Sequence, residues 1–252
     1  MSDLQGNRAV YPSLSGKRVL VTGGGSGIGA AIVEAFAGQG ADVTFIDVCE
    51  EESRILADRV GARFECIDLT DVSTTQERIR GLVAELGAFD VLVNNAASDD
   101  RHDIADVDER YWDDRLNVNL KHYFFCAQAV IPGMREQGGG AIVNLGSISW
   151  HLALPQLALY QTSKAAIEGL TRSLARELGP DNIRVTCVVP GNVRTPRQMK
   201  WYTAEAEASI VDAQCLKGRL SPGDIAAMVL FLSSNDACLI TGHEYFVDAG
   251  WR

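Results

Sequence analysis

The run V-L-V-T-G-G-G-S-G-I-G, from Val19 to Gly29, decides the fold. Three apolar residues suited to a buried strand lead into a turn with the spacing T-G-x-x-x-G-x-G, carried by Gly23, Gly27 and Gly29. Ala30, Ile32, Val33, Ala35, Phe36 and Ala37 then follow with helical periodicity. Strand, tight turn and helix in that order present free amides and the positive helix end to a phosphate, and glycines let the backbone approach it. Gly25, Ser26 and Ile28 complete the turn that would line a pyrophosphate. Outward from it, a second apolar run, Val43 to Ile46, ends at Asp47, where an acid meets an adenosine ribose in such folds. A carboxylate there bonds the 2′ and 3′ hydroxyls and repels a 2′-phosphate, and Ser26 offers that phosphate no basic partner. The expected cofactor is NAD rather than NADP.

A second stretch, Ser147 to Lys164, reads S-I-S-W-H-L-A-L-P-Q-L-A-L-Y-Q-T-S-K. Tyr160 and Lys164 are four residues apart and share a face of a helix, one turn from each other. A tyrosine ionises near pH 10, and a neighbouring ammonium favours the phenolate and draws that value toward the working range. Ser147, thirteen residues earlier, can hydrogen-bond the same reacting oxygen. Taken alone, the pair is as well explained by an exposed Tyr and Lys on a helix. The glycine turn is what gives it chemical meaning.

Together these motifs resemble the short-chain dehydrogenase/reductase family, over almost the whole chain. Asp68, after Phe64-Glu65-Cys66-Ile67, and its neighbour Leu69 match the adenine contact. Asn94-Asn95-Ala96 matches the family's N-N-A-G motif, with Ala97 in place of the glycine, a methyl expected to crowd the cofactor slightly. Asn119, Ser147, Tyr160 and Lys164 match the catalytic tetrad, with Asn117 as the competing asparagine. Pro190-Gly191 match the nicotinamide-side turn, and Val193 and Thr195 the positions that hold the nicotinamide amide. The resemblance implies hydride transfer with Tyr160 as base. It also implies a helix distorted at Asn119, which holds a water of a relay to Lys164, and a homotetramer built on the two long helices near 111–137 and 160–178.

The rest of the chain agrees with one α/β unit, 1–252, with residues 1–15 as an N-terminal extension. Strand-like segments near 18–22, 43–47, 62–67, 89–93, 141–145, 183–189 and 244–248 alternate with helical ones. That order predicts a Rossmann-type, doubly wound sheet of about seven mainly parallel strands with helices on both faces, its ligands at the C-terminal strand edges. Hydrophobic residues at 46% and charged residues at 22% fit a soluble protein with a sizeable core. The formal net charge of -10 argues against nucleic acid and anionic membranes as partners. Six cysteines without a C-x-x-C pair lie mostly in apolar runs and read as buried, reduced thiols. Ala226 to Leu232, the longest apolar run, is too short to span a bilayer, and the first sixteen residues lack a signal-peptide core. A cytoplasmic protein is the default. His102, His122 and His243 show no metal spacing, so no metal site is expected.

The stretches G-S-I-S-W-H-L, R-V-T-C-V-V-P-G-N-V, A-Q-C-L-K-G-R and T-G-H-E-Y-F-V-D-A-G-W-R, with N-N-A-A-S-D-D-R-H, are similar to the bacterial sugar branch of the family. Its members, D-xylose and L-arabinose 1-dehydrogenases, oxidise C1 of a cyclic pentose to the lactone. Asp99, Asp100, Ser149, His151, Gln161 and Asn192 can meet sugar hydroxyls, beside Ser147 and Tyr160. Trp150 offers either a ring to the sugar face or core packing. Residues 192–217 correspond to the family's substrate lid, with Trp201 and Tyr202 able to pack it on the body. Alternatives are a reductase of a 3-oxoacyl or steroid carbonyl, a non-catalytic dinucleotide sensor, and a structural protein.

Overall fold

The computed structural model describes residues 8–200 and 202–252. Its frame is seven strands, β1 Arg18–Thr22, β2 Asp42–Asp47, β3 Arg63–Cys66, β4 Val91–Asn94, β5 Gly140–Leu145, β6 Ile183–Pro190 and β7 Glu244–Val247. They form one sheet in the order β3-β2-β1-β4-β5-β6-β7, every pairing parallel. The chain adds strands outward in one direction from β1 to β3 and in the other from β4 to β7, and this switch between β1 and β4 opens a crevice at their C-terminal ends.

Alternation along the strands explains why both faces are covered. Val19, Val21, Phe45, Val91, Val93 and Val143 point to one side and pack with Ile32, Val33 and Phe36 of helix α1 (Gly27–Gly38) and Ile225, Val229 and Leu230 of α9 (Pro222–Ser233). Leu20, Ile46, Leu92 and Ile142 point to the other and pack with Ile79 and Leu82 of α3 (Val72–Leu86), Val130 and Met134 of α5 (His122–Glu136), and Leu174 and Leu178 of α6 (Ala158–Leu178). A sheet buried on both sides needs apolar residues in both phases, and this one has them. Helix α2 (Glu50–Val60) connects β2 to β3, while α7 (Pro196–Met199) and α8 (Ala204–Ala213) lie within the expected lid.

Three readings of the sequence need adjustment. The helix expected over 111–137 begins earlier, as α4 (Glu109–Leu116), and passes through one π turn, Asn117–Lys121, before continuing as α5. All six cysteines are free, yet only Cys126 and Cys187 are buried; Cys49, Cys66, Cys215 and Cys238 are exposed. Cys66 closes β3 and Cys49 precedes α2, so an apolar neighbourhood in sequence does not bury a residue where the chain leaves an element. Finally, the expected extension 1–15 is joined to the body at its end, where Leu14 is fully buried and Tyr11 donates its amide to Gln39 Oε1 at 2.7 Å. Residues 1–7 and Trp201 lie outside the described residues. No helix among the described residues is long and apolar enough to cross a membrane.

Candidate active site

The C-terminal strand ends collect the sequence motifs along one edge. At the end of β1, Gly23 and Gly27 take positive φ, +65° and +55°, and a Cβ on Gly29 would sit 1.8 Å from the Gly23 carbonyl oxygen. Only glycine tolerates the first two backbones at no steric cost and only glycine fits the third site. Ser26 precedes α1 without capping it and is exposed, which leaves its hydroxyl and the helix amides open to a phosphate. Asn95 clamps the turn, its side-chain amide donating to Gly23 O at 2.8 Å and Thr22 O at 3.1 Å. Thr22 Oγ1, from the threonine that opens the T-G-x-x-x-G-x-G turn, accepts from the amides of Asn95 (3.0 Å) and Ala96 (3.2 Å).

At the end of β2, Asp47 accepts from Gly25 N at 2.8 Å and from Val48 N and Cys49 N at 2.7 and 2.9 Å. These amides orient the carboxylate beside the glycine turn, and an ionised carboxylate keeps further acceptor capacity for two hydroxyls. Asp68 is exposed beyond β3 and holds Thr70 through its amide and hydroxyl, while Leu69 is buried beneath it. Ala97 is exposed without positive φ among the non-glycine residues that have it, so the replaced glycine is not required by the backbone here. Across the turn, Thr195 lies near Gly27, whose added Cβ would be 3.5 Å from the threonine methyl. Val193 is buried and bridges to Leu220, and Pro190 and Gly191 are fixed by Ile148 N and Val247 O. The cradle, the acid and the facing threonine form a continuous bed whose donors and acceptors fit a dinucleotide.

The second half of the site lies on β5, α5 and α6. Lys164, 1% exposed, donates to Leu145 O at 2.8 Å and Tyr123 Oη at 3.0 Å, and its Nζ lies 5.5 Å from the Tyr160 ring centroid. Burial lowers the lysine from its ordinary 10.5 to about 8. The expected lowering of Tyr160 is not reached by the protein's own groups. Burial pushes its hydroxyl up to about 12, although part of the side chain still meets solvent, and Asp99 adds to the rise. A hydrogen bond from Ser147 and the charge of Arg197 act in the opposite direction. Ser147 Oγ also bonds Ser149 Oγ at 3.0 Å, and Ser149 is 6% exposed.

Asn119 sits in the π turn, fully buried, and spends its side chain on the backbone of Ser98: Oδ1 accepts from Ser98 N at 2.8 Å and Nδ2 donates to Ser98 O at 3.0 Å. It thereby anchors the loop after β4. Asn117, the competing asparagine, is only half-buried. His122 donates from Nε2 to Ala96 O at 3.0 Å, and burial drops its pKa to about 4, which keeps the ring neutral.

The residues expected to meet sugar hydroxyls all have protein partners. Asp99 pairs with Arg197 at 3.0 Å and accepts from Gln198 Nε2 at 2.8 Å; Asp100 pairs with Arg115 and Arg197 at 2.6 and 2.9 Å. Asn192 donates to Tyr202 Oη at 2.7 Å and accepts from Arg219 at 2.8 Å. Gln161 donates to Leu154 O at 2.6 Å, on the wall of a cavity of about 330 Å³ beside His102 and Ile104. His151 Nε2 faces Glu168 Oε1 at 3.1 Å, and Trp150 Nε1 donates to the same oxygen at 2.8 Å. Trp150 and His151 stack at 3.7 Å, so the packing role of Trp150 prevails. Tyr123, Glu168, Arg115 and Arg197 escaped the sequence reading. Tyr123 follows Asn119, and Glu168 follows Lys164, by four residues, a helical spacing that would have exposed both.

A family model described as "Enoyl-(Acyl carrier protein) reductase" matches residues 23–252. The chain is 62% identical to D-xylose 1-dehydrogenase of Caulobacter vibrioides over 97% of this chain and 99% of that one. It is 47% identical to the Rhizobium meliloti protein named "Probable galactose dehydrogenase", over 95% and 96% of the two chains. Among solved structures, 7α-hydroxysteroid dehydrogenase complexed with NADH and 7-oxo glycochenodeoxycholic acid superposes with a TM-score of 0.90 at 29% identity, covering 95% of this chain and 96% of that one. With a family model over residues 23–252 and a 62% identical relative aligned over nearly its whole length, the chain belongs to the short-chain dehydrogenase/reductase family, oxidoreductases acting on CH–OH groups.

Proposed function

We propose that the protein is an NAD-dependent sugar 1-dehydrogenase that oxidises C1 of a cyclic pentose, D-xylose or L-arabinose, to its lactone. The observation that carries this reading is the convergence of Ser147, Tyr160 and Lys164 beside a glycine cradle, in a chain 62% identical to a D-xylose 1-dehydrogenase. Gly23, Gly25, Ser26, Gly27, Ile28 and Gly29 would hold the pyrophosphate, and Asp47 the adenosine ribose. Asp68 and Leu69 would flank the adenine, Asn95 and Ala96 support the floor, and Pro190, Gly191, Val193 and Thr195 the nicotinamide side. When bound, the oxidised nicotinamide supplies the hydride acceptor and a positive charge that favours the phenolate.

The chain's own residues handle the proton. Tyr160 takes it from the C1 hydroxyl, and Ser147 orients that oxygen. Lys164 would hold the nicotinamide ribose and, when charged, bias Tyr160 toward its ionised form. With Tyr160 at about 12 from burial, the base is scarce at neutral pH unless those charges act, so the oxidation rate rises with pH. Asn119 holds the loop that carries Asp99. Asp99 and Asn192 would face the substrate through the lid network, and Ser149 from the loop that carries Ser147. NAD rather than NADP follows from Asp47. A homotetramer built on α4, α5 and α6 would cover the exposed Trp112 on α4 and Phe124 on α5, 45% and 42% accessible, and the cytoplasm is its expected compartment.

Initial rates of NADH formation with D-xylose, L-arabinose, D-galactose, D-glucose and L-fucose test the reading. It requires one preferred pentose and loss of activity in Tyr160→Phe. Absence of activity on every sugar would remove the sugar assignment and bring acyl or steroid carbonyls forward.

A further inference from the structure

Tyr123 is the one fully buried tyrosine on α5, and its hydroxyl stands in the site without a part in the chemistry described so far. It donates to Leu145 O at 3.1 Å and accepts from Lys164 Nζ at 3.0 Å, while Nζ itself donates to Leu145 O at 2.8 Å. The three atoms form a closed triangle that links α5, the last residue of β5 and α6. An ammonium has three N–H donors and no acceptor. Two of them are consumed by the triangle, which leaves one to reach out of it.

We propose that Tyr123 is a positioning residue for Lys164: its hydroxyl and the Leu145 carbonyl form a two-point socket that fixes the ammonium and directs its remaining N–H into the cleft. The proposal rests on the dehydrogenase reading above, because it assigns a use to the lysine's free donor.

The physical case comes from the partners. Lys164 is almost wholly buried, and the two oxygens that hold it belong to neutral groups. A buried cation with no carboxylate at hydrogen-bond distance loses its proton easily, as its fall to about 8 reflects. Hydrogen bonds to a charged donor are the stronger kind, so an oxygen at 3.0 Å favours the charged form. Tyr123 can serve because it stays protonated: burial and the nearby Tyr160 hold its pKa well above 10. Its proton rests on Leu145 O and its lone pair faces the lysine.

Other titratable groups surround the pair. His122 and Cys126 share the helix of Tyr123, Cys187 lies on β6, and Glu168 is one turn beyond Lys164. Asp99 reaches the lysine from the loop after β4, where its charge favours the ammonium, while Arg197 from the lid acts on the neighbouring Tyr160. His122 is neutral and burial pushes both thiols up to about 12, so none of these supplies the lysine with a charged partner within the triangle.

The test is Tyr123→Phe, which keeps the ring and removes only the oxygen. The chain has five lysines, so a titration of ¹³Cε-labelled lysine, with Lys164 identified by its loss in Lys164→Met, reads the ammonium without substrate. The Lys164 midpoint is expected to fall by about one pH unit in the variant. With D-xylose and NAD, kcat at pH 7 is expected to drop about 10-fold with little change in the sugar KM, and the rising limb of the rate–pH profile to move to higher pH. Tyr123→Met, also without a hydroxyl, repeats the test if the phenylalanine variant folds poorly. An unchanged Lys164 midpoint, or kcat and pH profile within twofold of the parent, would overturn the proposal and leave Tyr123 as packing. If the parent enzyme oxidises no sugar, the functional reading fails while the lysine titration still decides the role of Tyr123.

Discussion

Removing the Glu168 carboxylate should unfasten the loop that carries Ser147. Both Trp150 Nε1 and His151 Nε2 converge on one oxygen, Glu168 Oε1, at 2.8 and 3.1 Å, and the His151 and Glu168 side chains are each only 12% exposed. In Glu168→Ala two largely buried donors lose their acceptor together. Each stranded donor costs about 1–3 kcal/mol, and relief from burying a carboxylate offsets part of that, for a net loss of about 2–4 kcal/mol. For a chain of this size the fall in Tm is roughly 5–15 °C. Glu168→Gln keeps an acceptor and should lose about 1 kcal/mol. Differential scanning calorimetry reads both. The kinetic signature separates loop position from general damage: Trp150 is three residues from Ser147, so Glu168→Ala should lower kcat, and it should do so far less in a Ser147→Ala background, where there is no hydroxyl left to misplace. A Tm within 2 °C of the parent, or kinetic losses that simply multiply in the double variant, would refute the reasoning.

Asp47→Asn retains a carbonyl oxygen for the turn amides but removes the charge, so the ratio of kcat/KM for NAD over NADP should fall about 10-fold or more; an unchanged ratio would detach cofactor choice from Asp47. Arg197→Ala frees Asp99 beside Tyr160 and should raise the sugar KM several-fold and move the rising limb of the pH profile upward, because Arg197 lowers and Asp99 raises the tyrosine; the pair is half-exposed, so Tm should stay within about 2 °C. Lys164→Met should be inactive yet more stable at pH 7. The lysine's fall from 10.5 to about 8 means the unfolded chain binds more protons between those values, a penalty fully present below pH 8 and relieved as pH rises toward 10.5; at pH 7 the gain is at most about 3 kcal/mol, and urea unfolding at pH 7 and pH 10.5 should show it shrink.

The fold was legible because its determinants are local. Alternating apolar phases in Val19-Leu20-Val21 and Val43 to Ile46 set strands with two buried faces, and each strand end falls within two residues of the expected position. The glycine turn was legible for the same reason, since Gly29 faces the Gly23 carbonyl only six residues away. Asn119 could be suspected because asparagine is a poor residue inside a helix, and the π turn is where it lies. Partnerships across the fold were not legible. Asp99 finds Arg197 98 positions later, and His151 finds Glu168 seventeen positions on; no periodicity links them. The tyrosine was misjudged in direction because the sequence shows the cation at four residues and not the depth of burial, which is the largest effect on Tyr160 and raises it.

That same network changes how the site can discriminate between sugars. A pocket that strands a buried polar group rejects the wrong isomer by several powers of ten. Here the polar groups are already satisfied: Asp99 by Arg197 and Gln198, Gln198 Oε1 by Tyr202, Tyr202 by Asn192, and Asn192 by Arg219. A sugar hydroxyl must exchange with one of these bonds, and when an isomer lacks it the protein partners rejoin one another instead of remaining unpaired. The penalty is then the difference between two hydrogen bonds, about 1 kcal/mol each, rather than the full cost of an orphaned group. If the substrate is a sugar, as proposed, selectivity between epimers should depend on the contacts that α7 and its neighbours make with it, and substitutions at Gln198 and Tyr202 should shift it more than substitutions at Ser149, which bonds only within its own loop.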